Sequence, residues 1–258
     1  MKSDFDLISA ELPSDVPYIN IYPLGDTHIG SKECNMDRLK QLIDITLQDP
    51  YGYVVLCGDM IDNGLKNSKT NVYRQTLSPD EQKEAFYETF LPLAEADKIL
   101  AGVPGNHCER SVRETGCNPM YDVFCRWRKE NVYRENLAIL KITLGKAKNG
   151  RKMVYAGIVT HGSSKNKHHK FVTGFDGIDF AISGHTHTPS YTPCGKIRVD
   201  TRHNKVIKTG YKEIVVDSHM DSGGYALKNE YEISAPPEVQ ILRLYGYKKQ
   251  MDFIAQGL

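Results

Sequence analysis

Apolar residues in the first half of the chain follow strand-like and helix-like spacing in turn. Short apolar runs at residues 18–22, 53–57 and 98–103 have the length and continuity of buried strands. Between the first two runs, Asn35 precedes apolar residues at helical spacing, which predicts a capped helix. Repeated β-α-β units of this kind favour a parallel sheet with helices outside it.

A second helix is predicted from a capping box. Ser78 and Glu81 have the required spacing, and Pro79 occupies the first helical position, so we expect a helix that continues to about residue 96. The aromatic and apolar residues of the segment 120–127 also recur at helical spacing, which predicts that they belong to the core rather than to a base-stacking surface.

The second half of the chain is richer in predicted strands. Residues 137–144 and 152–159 flank a turn signal at 147–150, which predicts a hairpin. Further strands are predicted at residues 178–182, 197–201, 206–208, 213–216 and 239–244. Because no repeat, low-complexity tract or flexible linker divides the chain, we expect a single domain over residues 1–258, built from two facing sheets.

Charge and cysteine content exclude several protein classes. The chain carries 33 Lys and Arg residues against 32 Asp and Glu residues, so any contact with a polyanion must be local. No apolar run is long enough for a signal peptide or a membrane span, so we expect a cytoplasmic protein without a membrane partner. The six cysteines form no C-x-x-C pair, which favours free thiols over disulfides or a zinc knot.

Polar residues that can bind a metal follow five of the predicted strands. The five blocks are GDTH at residues 25–28, GDMIDN at 58–63, GNH at 105–107, THG at 160–162 and GHTH at 184–187. One Asp-x-His string alone is a weak signal, because such strings are frequent in loops. The carboxyl ends of strands in open α/β sheets are where ligands bind, so we expect the five blocks to converge.

In order and approximate spacing, the five blocks resemble the calcineurin-like metallophosphoesterases over residues 26–189. The resemblance implies an α/β (α+β) fold in which a two-sheet β-sandwich is flanked by helices, a four-layer αββα architecture. It also implies two divalent metal ions that share Asp59 as a bridge. The first ion would be held by Asp26, His28, Asp59 and His187, and the second by Asp59, Asn106, His161 and His185.

The predicted ligands and the neighbouring His107 define the expected chemistry. Carboxylate and imidazole together suit manganese, our first expectation, or iron, zinc or nickel, better than magnesium or calcium alone. Two such ions about 3.5 to 4 Å apart can clamp the attacking and leaving oxygens of an in-line displacement. A shared water would become hydroxide and attack phosphorus directly. The resemblance leaves His107 without a metal, free to protonate the leaving group or to stabilise the phosphoryl charge.

Two positions beside the blocks bear on the substrate. Asn63 stands where the protein-phosphatase branch has the arginine of its GDxxDRG pattern, which argues against a close relationship to that branch. Arg110, just past GNH, is predicted to neutralise a substrate phosphate, with an ordinary surface arginine as the alternative. Asp62 and Asn63 are predicted to close the loop after their strand, as Asx residues often do, with a catalytic role as the alternative.

The remaining polar candidates are interpreted as surface features. The basic segment 163–170 directly follows His161, and we predict a solvated loop at the rim of the site that can steer a polyanion. His203 and His219 match none of the five blocks and are predicted to be surface or turn residues.

Three functional classes therefore remain. The favoured one is a two-metal phosphodiesterase or nuclease acting on DNA, RNA or a nucleotide, and the string DTHIG also resembles the SbcD-like nuclease branch. The alternative is a phosphomonoesterase of a nucleotide, metabolite or phosphoprotein. The third is a non-catalytic scaffold of the same fold, such as the retromer subunit. The intact ligand set argues against a scaffold, which does not need those side chains.

Overall fold

The computed structural model describes residues 3–66, 68, 72–223 and 238–257. The strands in these residues are β1 (Ile8–Glu11), β2 (Tyr18–Leu24), β3 (Gly52–Leu56), β4 (Ile99–Gly102), β5 (Leu137–Leu144), β6 (Met153–Thr160), β7 (Phe180–Ser183), β8 (Ser190–Asp200), β9 (Lys205–Val215), β10 (Glu238–Tyr245) and β11 (Met251–Gly257). The α-helices are α1 (Met36–Gln48), α2 (Pro79–Glu95), α3 (Cys108–Thr115), α4 (Pro119–Arg126) and α5 (Lys165–Val172).

The first sheet has the strand order β11-β10-β2-β3-β4. Its strands β2, β3 and β4 are parallel, as the β-α-β pattern predicts, and β10 joins them antiparallel to β2. Because the three parallel strands end at the same edge, the GDTH, GDMIDN and GNH blocks leave the sheet side by side.

The second sheet has the strand order β1-β5-β6-β7-β9-β8. The predicted hairpin is confirmed, since β5 and β6 pair antiparallel from Leu137↔Thr160 to Leu144↔Met153. Strands β6 and β7 are parallel, so the THG and GHTH blocks that follow them also lie together at one edge.

The two sheets pack face to face and carry helices on their outer sides. Side chains of both sheets, including Ile21, Val55, Leu140 and Phe180, form the core between them. Helices α1, α2 and α4 cover the first sheet with a second set of buried apolar residues. Val172 of α5 packs on the outer face of the second sheet. The predicted four-layer αββα architecture is therefore confirmed.

The predicted helix starts are also confirmed. Asn35 Oδ1 accepts from the backbone N–H of Arg38 at 3.0 Å and caps α1. Ser78 and Glu81 form a reciprocal capping box at α2, with distances of 2.8 and 3.4 Å. The apolar residues of the segment 120–127 are buried against α2, so they belong to the core as predicted.

Several predicted elements differ from the structure. The segments 206–208 and 213–216 are not two strands: residues 205–215 form the single strand β9, because all eleven residues pair with β8. The basic segment 163–170 is not a loop but contains most of α5, which the buried residues His168 and Val172 hold against the protein. Strands β1 and β11 and helix α3 have no counterpart in the sequence pattern.

Candidate metal centre

The residues predicted to bind metal sit in an unusual backbone conformation. Five of them have φ in the left-handed region: Asp26 at 49°, His28 at 48°, Asp59 at 49°, His185 at 75° and His187 at 54°. Each non-glycine residue held in such a region costs on the order of 1–3 kcal/mol, and such strain concentrates at functional sites. The fold therefore holds these five side chains in place at a cost in stability.

Asp26, His28 and His187 form the first of two groups of ligand atoms. Their ligand atoms all lie within 4.8 Å of one another. Oδ1 of Asp26 is 3.3 Å from Nε2 of His187 and 3.9 Å from Nε2 of His28. The two imidazole Nε2 atoms are 3.2 Å apart. Asp26 is fully buried and His28 nearly so, while His187 is partly exposed.

The second group contains Asp59, Asn106, His161 and His185. Oδ2 of Asp59 lies 3.2 Å from Nε2 of His161. Oδ1 of Asn106 is 2.9 Å both from that Nε2 atom and from Nδ1 of His185. The ligand atoms of Asp26, Asp59 and His161 also fall within 4.8 Å of one another, so the two groups adjoin. The structure thus brings all seven predicted ligands together.

The donor atoms of the first group are better suited to binding a cation than to forming hydrogen bonds with one another. Oδ1 of Asp26 is buried without a hydrogen-bond partner, although such an atom is costly to leave unsatisfied. A divalent ion bound by Asp26 Oδ1 and by the facing Nε2 atoms of His28 and His187 would neutralise the buried carboxylate and use the nitrogen lone pairs. Carboxylate and imidazole donors of this kind suit borderline divalent metals.

Two glycines allow the carboxylates to reach these positions. A Cβ atom on Gly105 would lie 1.9 Å from Oδ1 of Asp59, and one on Gly184 would lie 2.4 Å from Oδ2 of Asp26. Any side chain at either position would displace the carboxylate. The glycines of the GNH and GHTH blocks are therefore required by close approach.

Hydrogen bonds between the loops fix the ligands further. The carboxylate of Asp59 accepts from the backbone N–H of His107 at 2.9 Å, and that of Asp26 accepts from the backbone N–H of His185 at 2.7 Å. Nδ1 of His161 donates to the Cys57 carbonyl at 2.9 Å, which directs its Nε2 atom toward Asp59. Each loop is thus tied to another loop through a ligand.

Asp59 and His161 behave as an ion pair. Burial alone would raise the pKa of Asp59, but the charge and the hydrogen bond of the His161 imidazole hold that pKa far below its ordinary value. Burial opposes a charge on His161, yet the Asp59 carboxylate raises the pKa of this imidazole to about 9. A metal ion that takes both groups as ligands must displace the His161 proton.

His107 lies beside the second group and contacts Arg110 and Asp62. Its Nδ1 atom donates to the Asp62 carbonyl oxygen at 2.6 Å, and its Nε2 atom accepts from Nη2 of Arg110 at 2.8 Å. Because a guanidinium can only donate, this arrangement assigns a neutral imidazole with its lone pair on Nε2. Nε2 of His107 is 3.7 Å from Oδ2 of Asp59, which places the ring at the centre.

Asp62 does more than close the loop after its strand. Its Oδ1 atom lies 3.3 Å from Nδ1 of His107 and 3.4 Å from Nδ1 of His28. Burial would raise the pKa of Asp62, but these two histidines hold it well below its ordinary value. The carboxylate therefore orients one predicted ligand and the predicted catalytic histidine. The spacing Asp59-x-x-Asp62 is the sequence signal that could have identified it.

The side chain and backbone of Asn63 form hydrogen bonds to neighbouring segments of the protein. Its side-chain amide donates to the His107 carbonyl at 2.7 Å and to Oγ of Ser111 at 2.9 Å. Its backbone N–H donates to Oε1 of Gln82 at 2.7 Å. Asn63 thereby joins the second block to the third.

The histidines outside the five blocks have different environments. His203 is exposed in the turn between β8 and β9, as predicted. The prediction for His219 is wrong, because this residue is buried, and burial together with Arg38 lowers its pKa to about 3. Its backbone N–H donates to the Asp26 carbonyl at 3.2 Å, which ties the segment after β9 to the first block.

Comparison with known proteins identifies the family. A sequence model of the calcineurin-like phosphoesterases matches residues 19–189, which includes all five blocks. The chain belongs to the calcineurin-like phosphoesterase family. It is a hydrolase that acts on phosphate esters, and members of this family typically bind two metal ions. No curated protein matches the sequence.

Solved structures with related folds come from distant proteins. A conserved uncharacterized protein of Streptococcus pneumoniae TIGR4, described as a predicted phosphoesterase, has 10% identity, a TM-score of 0.37, and coverage of 93% of this chain and 98% of its own. GAP50, the anchor in the inner membrane complex of Plasmodium, has 10% identity, a TM-score of 0.47 and coverage of 93% and 85%. The nuclease MPE of Pseudomonas putida has 11% identity, a TM-score of 0.34 and coverage of 91% and 87%.

None of the helices in the described part of the chain is long and apolar enough to cross a membrane.

Proposed function

We propose that the protein is a two-metal phosphodiesterase whose substrate is a nucleic acid or a nucleotide. The observation that carries the two-metal proposal is the pair of adjoining ligand groups around Asp59. In this proposal Asp26, His28 and His187 would hold one ion, Asn106, His161 and His185 would hold the other, and Asp59 would be a ligand of both. Manganese is the metal that we propose, and the core that the two sheets share supports a single domain.

In the proposed reaction, the metal ions and the side chain of Arg110 would have different roles. Two divalent ions, when bound, supply positive charge to the phosphoryl oxygens and acidify the attacking water. Arg110 lies beside them with Nη1 on the Asp62 carbonyl at 2.8 Å and Nη2 on His107. From this anchored position the guanidinium can turn its donors toward a substrate phosphate, which it would orient by paired hydrogen bonds.

His107 can then serve as the donor to the departing oxygen. In the structure its Nε2 accepts from Arg110, so the imidazole must gain a proton at Nε2 before it can act as an acid. The carboxylate oxygens of Asp59 and Asp62 lie 3.7 Å from Nε2 and 3.3 Å from Nδ1 of this ring. If Arg110 turns toward a substrate phosphate, its hydrogen bond to Nε2 of His107 breaks, and this nitrogen can then take up a proton.

A basic ribbon supports the choice of a polymeric substrate. The outer half of the β8–β9 hairpin, residues 196–209, carries five basic side chains and only one carboxylate. Arg198, Arg202, Lys205 and Lys208 are exposed, and the exposed apolar residues Ile197, Val199 and Val206 lie between them. A two-stranded ribbon fits the major groove of duplex DNA, and its basic residues would contact phosphates.

The ribbon begins close to the candidate metal centre. Strand β8 starts at Ser190, three residues after His187, and runs to Asp200. At roughly 3.3 Å per residue, the turn at its far end lies on the order of 30 Å from its base. Only a substrate several nucleotides long would therefore contact the ribbon and the centre together.

A cleft beside the centre supports a nucleotide-sized binding site. It has a volume of about 370 Å³ and is lined by Ser163, Gly184, Thr186, His168, Lys170 and Thr192, among others. Ser163 and Thr186 are close in sequence to the ligands His161 and His185, so the cleft opens next to the second ligand group. Hydroxyl and amine donors along it suit a sugar-phosphate chain.

A phosphomonoesterase is the second candidate function. Arg110 and His107 together can bind the extra negative charge of a terminal phosphate, and neither contact requires a diester. The basic ribbon has no use in that reaction, which is why we favour the diester.

Metal reconstitution combined with a substrate screen tests the proposal. Protein stripped by a chelator would be loaded with manganese, iron(II), zinc, nickel or magnesium. It would then be assayed with a bis-aryl phosphodiester, an aryl phosphomonoester, a dinucleotide and single-stranded and duplex DNA and RNA. We expect manganese to restore hydrolysis of the diesters above that of the monoester. Preferred hydrolysis of the monoester would select the second candidate, and no hydrolysis with any metal would reject both.

A further inference from the structure

Three metal-binding side chains meet away from the candidate metal centre. They are His169 on α5, Cys194 on β8 and Glu213 on β9, and their ligand atoms lie within 4.8 Å of one another. Oε2 of Glu213 is 2.7 Å from Nδ1 of His169 and 3.4 Å from Sγ of Cys194. We refer to these three residues as the His-Cys-Glu cluster.

The strand register explains why two members of the cluster face α5 together. Cys194 is paired with Tyr211, and Glu213 with Thr192, so Cys194 and Glu213 are diagonal neighbours on the same face of the hairpin. Val172 of α5 packs with Tyr211 on that face, which brings His169 of the same helix to the cluster.

Glu213 of the cluster and the neighbouring His168 each have a buried polar atom without a hydrogen-bond partner. Glu213 is only 8% exposed, and its Oε1 atom is buried without a hydrogen-bond partner. Nε2 of His168, a residue only 6% exposed that interacts electrostatically with Glu213, is also buried without one. The neighbouring Lys196 does not pair with the carboxylate, since its amine donates to the Phe175 carbonyl. A buried carboxylate oxygen without a hydrogen bond is costly unless a cation binds it, so Oε1 of Glu213 is available as a metal ligand.

We propose that the His-Cys-Glu cluster is a third metal site, which binds a zinc-like divalent ion through Nδ1 of His169, Sγ of Cys194 and the carboxylate of Glu213. Thiolate, imidazole and carboxylate are all zinc ligands, and a thiolate disfavours magnesium and calcium. On binding, Cys194 releases its thiol proton to solvent, and the sulfur forms the bond to the metal.

This site differs from the candidate metal centre in its ligands and in its effect. None of the seven predicted ligands of that centre is a cysteine, so only the third site supplies a sulfur donor. His169 and Glu213 line the same cleft as Ser163 and Thr186. A metal at the cluster therefore fastens α5 to the β8–β9 hairpin and fixes one wall of the cleft.

Cobalt(II) absorption provides a direct test, because a thiolate ligand gives cobalt a charge-transfer band in the near ultraviolet that oxygen and nitrogen ligands do not give. The full-length protein would be titrated with cobalt(II) beyond two equivalents per chain. We expect the band in the wild type and in Cys117→Ser, an exposed-cysteine control, and its loss in Cys194→Ser.

A second variant protects the test against a folding defect. His169 is exposed, so His169→Gln should fold normally. We expect this variant to bind cobalt at least tenfold more weakly at the site that gives the charge-transfer band. The affinity would be measured by competition with a chelating dye. Circular dichroism would verify the fold of each variant. Absence of the band from the wild type, or its persistence in folded Cys194→Ser, would overturn the proposal. Unchanged cobalt affinity in His169→Gln would equally overturn the ligand set.

Discussion

At the level of single residues, the chemistry of the centre depends on which ring nitrogen of His107 carries a proton. The Asp62 carbonyl holds the proton on Nδ1, and Arg110 occupies the lone pair of Nε2. A substrate phosphate that attracts Arg110 would free this lone pair. His107 and Arg110 are thus expected to act together but to affect different kinetic quantities.

We predict that His107→Gln retains metal but loses turnover. Removing a general acid or a transition-state donor lowers kcat by roughly two to four orders of magnitude. The loss should be smaller for a nitrophenyl ester, whose leaving group needs little protonation. Metal analysis and kcat on activated and unactivated diesters provide the measurement. An equal loss on both substrates would indicate phosphoryl stabilisation, and full activity on the unactivated diester would remove His107 from the site.

We predict that Arg110→Ala impairs the binding or reaction of substrate without loss of metal. The expected result is a fall in kcat/KM of about ten- to a hundredfold, the range for losing one charge-assisted hydrogen bond of about 1.5–3 kcal/mol. Arg113→Ala is the matched control, since Arg113 is three residues away and makes an exposed ion pair with Glu109 at 3.8 Å. Equal kinetic constants for the two variants would indicate that Arg110 is an ordinary surface arginine that does not contact the substrate.

The residues around the centre show how far a sequence can predict a site. The order of the five blocks along the chain is enough to predict that the seven ligands lie together, because the ends of the strands fix the positions of the blocks. The sequence predicts a turn residue at Asp62, since an aspartate after a strand looks the same whether it caps a loop or orients a histidine. It predicts a surface or turn residue at His219, since nothing local indicates that a non-adjacent segment will cover this side chain.

At the level of elements, the apolar pattern fails to predict helix α5 and the full extent of strand β9, and both elements line the cleft. The sequence of helix α5 resembles a solvated basic run because, among its side chains at residues 166–172, only those of His168 and Val172 are buried. Strand β9 reads as two pieces because residues 205–210 are exposed on both faces, so no alternation marks the first half of the strand. In both cases tertiary contacts or strand pairing decide the structure, while the apolar pattern is uninformative.

We predict that the basic ribbon matters for long substrates only. Arg202→Gln combined with Lys205→Gln should weaken binding of duplex DNA and reduce the slope of log affinity against log salt by about 1 per lost phosphate contact. Hydrolysis of a dinucleotide should not change, because it is too short to reach the ribbon. Lys146→Gln combined with Lys148→Gln, in the turn of the β5–β6 hairpin, is the control. An unchanged salt slope in the ribbon variant would exclude the ribbon as a DNA contact.

At the level of the whole molecule, the candidate metal centre joins the two sheets. Asp26, Asp59 and Asn106 follow strands of the first sheet, while His161, His185 and His187 follow strands of the second. Each ligand group therefore contains residues from both sheets. Displacement of one sheet against the other would separate the donors, so the shared apolar core that holds the sheets also sets the geometry of the site.

Asp59→Asn provides the most direct test of the central claim that two metal ions share Asp59. The amide keeps the shape of the carboxylate but removes its charge, so it cannot bridge two cations as strongly. The measurement is metal content per chain after equilibration with limiting manganese, together with diester turnover. We predict that the wild type retains two ions and that the folded variant retains fewer than two and has no turnover. Two tightly held ions with normal turnover in Asp59→Asn would contradict the account.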